Sequence, residues 1–163
     1  LVTALPEVCV SVLTADCVPL LLYDPVKKVV AAAHAGWRGT VQSMALETVD
    51  VMKDDFGCQP KNILAGIGPS IGPKNYQVGA NVVSAVHENF YIHADSVLQE
   101  ETRGKALFNL WEANRQQLLI GGLKNENIEQ AGICTLESHE TFFSARRLGN
   151  PCGRFASGIM IEV

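Results

Sequence analysis

The chain has 163 residues, 47% of them hydrophobic and 18% charged, which suits one domain built on one core and excludes a disordered chain, whose apolar surface could not offset the entropy of ordering. Thirteen Lys and Arg against 17 Asp and Glu give a net charge of −4; with no basic run to track a phosphate backbone, nucleic acid is not an expected partner. No stretch approaches the ~18 apolar residues of a spanning helix, and five widely spaced cysteines (Cys9, Cys17, Cys58, Cys134, Cys152) argue against a disulfide framework and for a reducing cytoplasm, away from membranes.

Residues 8–13 and 20–23 are short, β-branched-rich apolar runs, which predicts two strands separated by a polar, proline-bearing functional loop at 14–19. Asp24-Pro25 marks a turn. Residues 29–33 are continuously apolar and predict a strand buried on both faces that stops at His34-Ala35-Gly36. Thr40 is the expected cap of a helix whose apolar positions, from Val41 to Phe56, recur every three or four residues, and Gly57 is its expected stop. A strand is predicted at 63–67, then the Gly/Pro-rich loop 66–73. Its glycine spacing fails the dinucleotide fingerprint, and its prolines predict a rigid wall presenting backbone amides and Ser70. Helices are expected at 78–90, with Val82, Val83, Val86 and Phe90 inward, and at 107–120, capped by Asn109 and stopped by Gly121-Gly122. Further strands are expected at 128–134 and 155–163. Strands and helices mix without β-α-β alternation, so the expected fold class is α+β: a single domain over 1–163 with a central mixed β-sheet flanked by helices.

Cys17 and His34 lie 17 positions apart, at the ends of neighbouring predicted strands. That is the length of a strand–turn–strand return, which would bring thiol and imidazole side by side. Such a pair suits either a zinc or similar ion with open positions, or a Cys/His nucleophile oriented by a carboxylate such as Asp16. The same residue types also serve as a buried structural cysteine and a core histidine. Arg38 stands between Gly36 and Gly39, just ahead of Thr40, where guanidinium and helix start would both favour an anion. Arg146 and Arg147 offer a second anion contact near the end of a strand, Arg147 more simply as a solvated side chain. His87 and His93 read as surface residues, and His139, between Glu137 and Glu140, as a solvated histidine. The Gly-x-x-x-x-Gly-Lys-Ser/Thr, His-Glu-x-x-His, Cys-x-x-Cys and Gly-x-Ser-x-Gly patterns are all missing, which removes those enzyme classes.

TADCVPLLLYDP (14–25), HAGWRGT (34–40), GIGPSIGPKNYQVG (66–79) and FFSARR (142–147) together resemble, in order and over nearly all of the chain, the family long labelled multicopper polyphenol oxidase or laccase-like. Its members are described as zinc-dependent purine nucleoside phosphorylases with adenosine deaminase activity. The resemblance implies a mixed sheet similar to cysteine-hydrolase-like toxin domains and a metal held by one Cys and two His. Carried over by motif, Cys17 and His34 are two of these ligands. The third belongs in the family to a Gln-Val-His-Gly segment nearer the amino terminus; this sequence has none, which implies either a chain lacking its amino-terminal segment or an incomplete site, with a zinc that leaves two positions to water.

The implied partners are purine nucleosides, methylthioadenosine included, and phosphate. In that reading Arg38 neutralises phosphate, Asp16 shuttles a proton or orients a neighbour, and Ser70, Tyr76 and Arg146 contact substrate, with Tyr76 or Trp37 stacking the purine, Trp37 serving more simply in core packing. Ser70, Lys74 and Asn75 stand where relatives often have cysteines, and Asn109 where Asp is common. Copper is disfavoured: a multicopper oxidase needs about ten His ligands, and this chain has four His with no His-x-His. Two rivals stay open. One is a metal-free Cys/His amide hydrolase acting on peptidoglycan precursors; the other is a truncated, ligand-binding or inactive domain.

Overall fold

The structure, a computed structural model, describes residues 1–90, 94–149 and 151–162. Along these residues run β1 (Val2–Thr3), β2 (Val10–Thr14), β3 (Val18–Asp24), β4 (Val29–Ala35), α1 (Trp37–Val41), α2 (Met44–Phe56), β5 (Leu64–Ile67), β6 (Gln77–Val78), α3 (Ala80–Asn89), β7 (Leu98–Glu100), β8 (Ala106–Phe108), α4 (Leu110–Ile120), β9 (Ile128–Gln130), α5 (Ala145–Leu148) and β10 (Phe155–Ile159). The central sheet has the order β1-β4-β3-β5-β9. Its pairs are antiparallel except β5 with β9, which is parallel, so the sheet is mixed and the class α+β. No helix among the described residues is long and apolar enough to cross a membrane.

The sheet is covered on both faces, which explains the unbroken apolar run of β4, buried at every position but His34. On one face Val18, Leu20 and Leu22 of β3 pack with Val49 and Met52 of α2, Leu118 of α4 and Phe108. On the other, Val30 and Ala32 meet Val10 and Ile161 beneath the antiparallel ribbon of β2 and β10. Alanines at 31–33 let both layers approach closely.

Several element boundaries differ from the sequence expectations for identifiable reasons. Val18 and Pro19 already belong to β3, so the loop before it is only 15–17 and holds Cys17 against a strand end. The helix expected from Thr40 starts earlier, at Trp37, and breaks at Gln42-Ser43, where Ser43 has φ 61°. Thr40 does not cap it, because its hydroxyl accepts a hydrogen bond from Asn114 Nδ2. Arg38 therefore sits inside the first turn and not ahead of the helix. Gly57, with φ 68°, stops α2 as expected.

Val78 and Leu107 are strand residues, not helix starts: Gln77 faces Leu107 and Val78 faces Ala106 in a small sheet of order β6-β8-β7. Asn109 caps α4, its Oδ1 accepting from Glu112 N at 3.1 Å. The strand expected at 128–134 ends at Gln130, and Cys134 makes only an isolated bridge to Ser70. β10 ends at Ile159, short of the expected 163. Arg146 and Arg147 lie in α5, not by a strand end, since Ser144 caps that turn by accepting from Arg147 N. His93 and Val163 lie outside the described residues.

Candidate functional site

In the β3–β4 register Val18 faces Ala35 and Pro19 faces His34, so Cys17 emerges beside Gly36. A Cβ built on Gly36 would lie 2.8 Å from Cys17 Sγ and 3.8 Å from His34 Nε2. Both donor atoms therefore border the small volume that Gly36 leaves empty. The backbone of Gly36 (φ −73°, ψ 177°) is one any residue adopts, so glycine is needed here for room and not for conformation. A sulfur and an imidazole nitrogen around an open cradle suit a borderline-soft ion such as zinc.

His34 is exposed and Cys17 half-buried, unlike the fully buried β4 residues around them. Burial, and then the Asp16 carboxylate, push the Cys17 thiol up, while the Arg154 guanidinium pulls it down. Among the described residues, no group of three or more His, Cys, Asp or Glu is placed to hold a metal.

Asp16 is in the left-handed region with φ 80°, which Asp tolerates better than most side chains. Its Oδ1 accepts from Thr135 Oγ1 at 2.7 Å, its Oδ2 from Arg146 N at 2.6 Å, and its carbonyl from Ile71 N at 2.9 Å. One residue thus ties the Cys17 loop to α5, to the 134–135 segment and to the Gly/Pro-rich loop. Both carboxylate oxygens are held by these donors and neither is hydrogen-bonded to His34. Asp16→Asn keeps the backbone conformation accessible but weakens this latch. We expect a loss of about 2–3 kcal/mol from two charge-assisted bonds, read as a lower urea midpoint with an unchanged slope; an unchanged midpoint would show that the latch holds nothing.

Tyr76 stacks on Phe108 with ring centroids 6.2 Å apart, and the Arg146 guanidinium lies 5.1 Å from the Tyr76 ring while Nη1 donates to Gln77 O at 2.9 Å. The Tyr76 hydroxyl is pushed up to about 12, by burial first and then by the Cys17 thiol, with Arg146 and Arg38 opposing. Cys17, Asp16, Arg38, Tyr76 and Arg146 therefore share one neighbourhood. Arg38 is exposed, its guanidinium 4.6 Å from the half-buried Trp37 ring.

Ser70 is not brought to the open face: it is fully buried, and its hydroxyl accepts from Trp111 Nε1 at 2.6 Å and donates to Gly68 O at 3.2 Å. Asn75 bonds Cys134 Sγ and Glu137, Lys74 and Arg147 are exposed, and His87 and His139 pair with Glu100 and Glu140 at 3.4 and 3.0 Å.

One residue escapes any motif in the sequence. Arg154 directly precedes β10, whose Phe155 pairs with Thr14, so it sits beside the Asp16-Cys17 loop. Its Nη1 donates to the carbonyls of Cys152 and Gly153 at 2.6 and 2.9 Å. Only the register of β10 on β2 reveals this neighbour. Three guanidinium groups against one engaged carboxylate make a local field that favours anions in a protein of net charge −4.

The sequence matches the family described as multi-copper polyphenol oxidoreductase laccase over residues 1–162. It is 46% identical over 163 residues to a purine nucleoside phosphorylase of Bacteroides thetaiotaomicron, covering 99% of this chain and 60% of that protein. It is 41% identical over 159 residues to adenosine deaminase RL5 of an unknown prokaryotic organism, covering 98% and 60%. The fold matches the crystal structure of YlmD from Geobacillus stearothermophilus with a TM-score of 0.94 at 33% identity, covering 99% of this chain and 60% of that one. The chain thus spans 60% of the length of these relatives.

Proposed function

The chain belongs to the multi-copper polyphenol oxidoreductase laccase family, and from that premise we propose that it is a zinc-dependent purine nucleoside phosphorylase that also accepts methylthioadenosine and deaminates adenosine. The observation that carries this reading is the volume at Gly36 bordered by Cys17 Sγ and His34 Nε2. The names of the phosphorylase and deaminase relatives supply the substrate class.

Cys17 and His34 would hold the ion, with the remaining tetrahedral positions open to water or a further group. Bound there, zinc supplies Lewis-acid polarisation at an oxygen nucleophile. Arg38, with Arg146 and Arg154 nearby, draws phosphate to the mouth. In phosphorolysis a phosphate oxygen bonds to the ribose anomeric carbon as the glycosidic C–N bond breaks; the electron pair leaves with the purine, which takes up a proton. Tyr76 keeps its phenolic proton through the neutral range and so keeps a donor for substrate, while its ring, with Phe108 stacked on it and Arg146 over it, is held in place by these neighbours and is not a free stacking face for the purine. With both oxygens occupied, Asp16 acts by holding Cys17 and α5 in register and not by moving protons.

A mixed S/N pair with four histidines in the chain suits zinc better than a copper cluster, and five unpaired cysteines suit a reducing cytoplasm. The amide-hydrolase reading, with its kinship to cysteine-hydrolase-like toxin domains, is weaker. It wants a carboxylate on the imidazole, whereas the Asp16 carboxylate is taken up by Thr135 and α5.

Inosine incubated with phosphate and the zinc-loaded full-length protein should yield hypoxanthine and ribose 1-phosphate. Adenosine should yield adenine with the same sugar phosphate, together with inosine and ammonia. Neither base nor sugar phosphate appearing would overturn the proposal.

A further inference from the structure

We propose that Asn114 and Gln117, two buried amides of α4, are positioning residues that hold α1, and with it Arg38, at the mouth of the site. Helix α1 is five residues long, too short to be stable by itself. It begins directly after Gly36 and carries Arg38 as its second residue. It ends in the break at Gln42-Ser43, and neither α1 nor α2 has an N-cap side chain bonded to its first turn.

What the segment lacks locally, α4 supplies. Gln117, 3% exposed, donates from Nε2 to Thr40 O at 2.6 Å and accepts at Oε1 from Ala45 N at 3.3 Å. It thereby bridges the last turn of α1 and the first turn of α2. Asn114, three residues earlier and so on the same helix face, is fully buried and donates to Thr40 Oγ1 at 3.1 Å and to Leu110 O at 2.8 Å. Thr40, itself fully buried, thus receives two amides from one neighbouring helix just two positions after Arg38.

Gln117 uses both ends of its amide, whereas Asn114 uses only Nδ2, its Oδ1 being buried without a partner among the described residues, so the direction of α1 is set from α4 chiefly by Gln117. Both amides bond to α1, α2 and their own helix, so any effect on chemistry runs through α1. The link from α1 to substrate rests on the phosphorylase reading; the link from α4 to α1 does not.

Two variants of the zinc-loaded full-length protein separate these links. Gln117→Met fills a similar volume and removes both bonds; Gln117→Glu, studied at a pH where its carboxyl is ionised, keeps the acceptor for Ala45 N but loses the donor to Thr40 O. With Gln117→Met, amide hydrogen exchange should speed up in α1 and at Ala45; with Gln117→Glu, in α1 only. Each should raise the KM for inorganic phosphate about tenfold, with kcat changed far less and zinc affinity within about twofold. A uniformly destabilised protein would show neither the selective exchange nor the KM split. Unchanged exchange in α1 overturns the proposal, and faster exchange with an unchanged phosphate KM overturns its link to Arg38. A wild-type protein without phosphorolysis defeats the phosphorylase reading instead, and exchange alone then decides whether α4 holds α1. If Gln117→Met does not fold, Gln117→Glu carries the same decision.

Discussion

Gly36→Ala is expected to remove zinc binding and phosphorolysis while leaving the protein folded. The added methyl would sit 2.8 Å from Cys17 Sγ and 3.8 Å from His34 Nε2, inside the space the ion needs, so the thiol must swing aside. The backbone raises no objection: with φ −73°, alanine would gain about 0.4–1 kcal/mol through the unfolded chain, against about 1–3 kcal/mol for a locally overpacked contact. The net effect on stability is small, a few degrees in Tm, whereas zinc affinity and kcat/KM should each fall at least about 100-fold, more than most outer-shell changes cost. Gly39→Ala is the matched control. Its methyl would lie 3.3 Å from His34 O and 3.5 Å from Met44 Cβ, tight but away from the Cys17 sulfur, so zinc titration should change only a few-fold. Equal losses in both variants would mean that Gly36 matters for packing alone.

Cys17→Ser carries the second large effect. It is nearly isosteric and keeps a polar group at the same point, so stability should move by less than about 1 kcal/mol. It removes the soft thiolate that favours zinc over hard cations and leaves His34 as the remaining identified ligand. Calorimetric titration should show zinc affinity lowered more than about 100-fold and phosphorolysis lost with it. Cys9→Ser, at an exposed position, should alter neither. Full activity in Cys17→Ser would transfer the chemistry elsewhere.

How far the site could be read from the sequence follows from which interactions are local. Cys17 and His34 are readable because each sits at a strand end and the return between them is short, so their meeting follows from one antiparallel pairing. Asp16 stands out beside Cys17 by residue type, but its role does not: its partners Thr135 and Arg146 are more than 100 residues away, and no periodicity encodes that distance. Ser70 looks presentable within a Gly/Pro loop, yet its meeting with Trp111 depends on how α4 docks. Arg154 has no local signal because β10 finds β2 across nearly the whole chain.

The same division governs the fold. Long amphipathic α2 and the continuously apolar β4 are legible through period and length, and so is the Asn109 cap. The strands β6, β7 and β8 run two or three residues, too short for alternation to register, so Val78 and Leu107 read as helix starts and β7 carries no signal. The break between α1 and α2 escapes for a related reason: the apolar spacing from Val41 to Phe56 continues through it, and the amides of Asn114 and Gln117 that stabilise it lie some 70 residues downstream.

X-ray absorption at the zinc K-edge of the loaded full-length protein tests ligation by Cys17 and His34 most directly. One sulfur scatterer at ~2.3 Å with imidazole nitrogen at ~2.0 Å, the sulfur vanishing in Cys17→Ser, is the expected result. A bound zinc whose shell contains no sulfur, or no stoichiometric zinc at all, would contradict it.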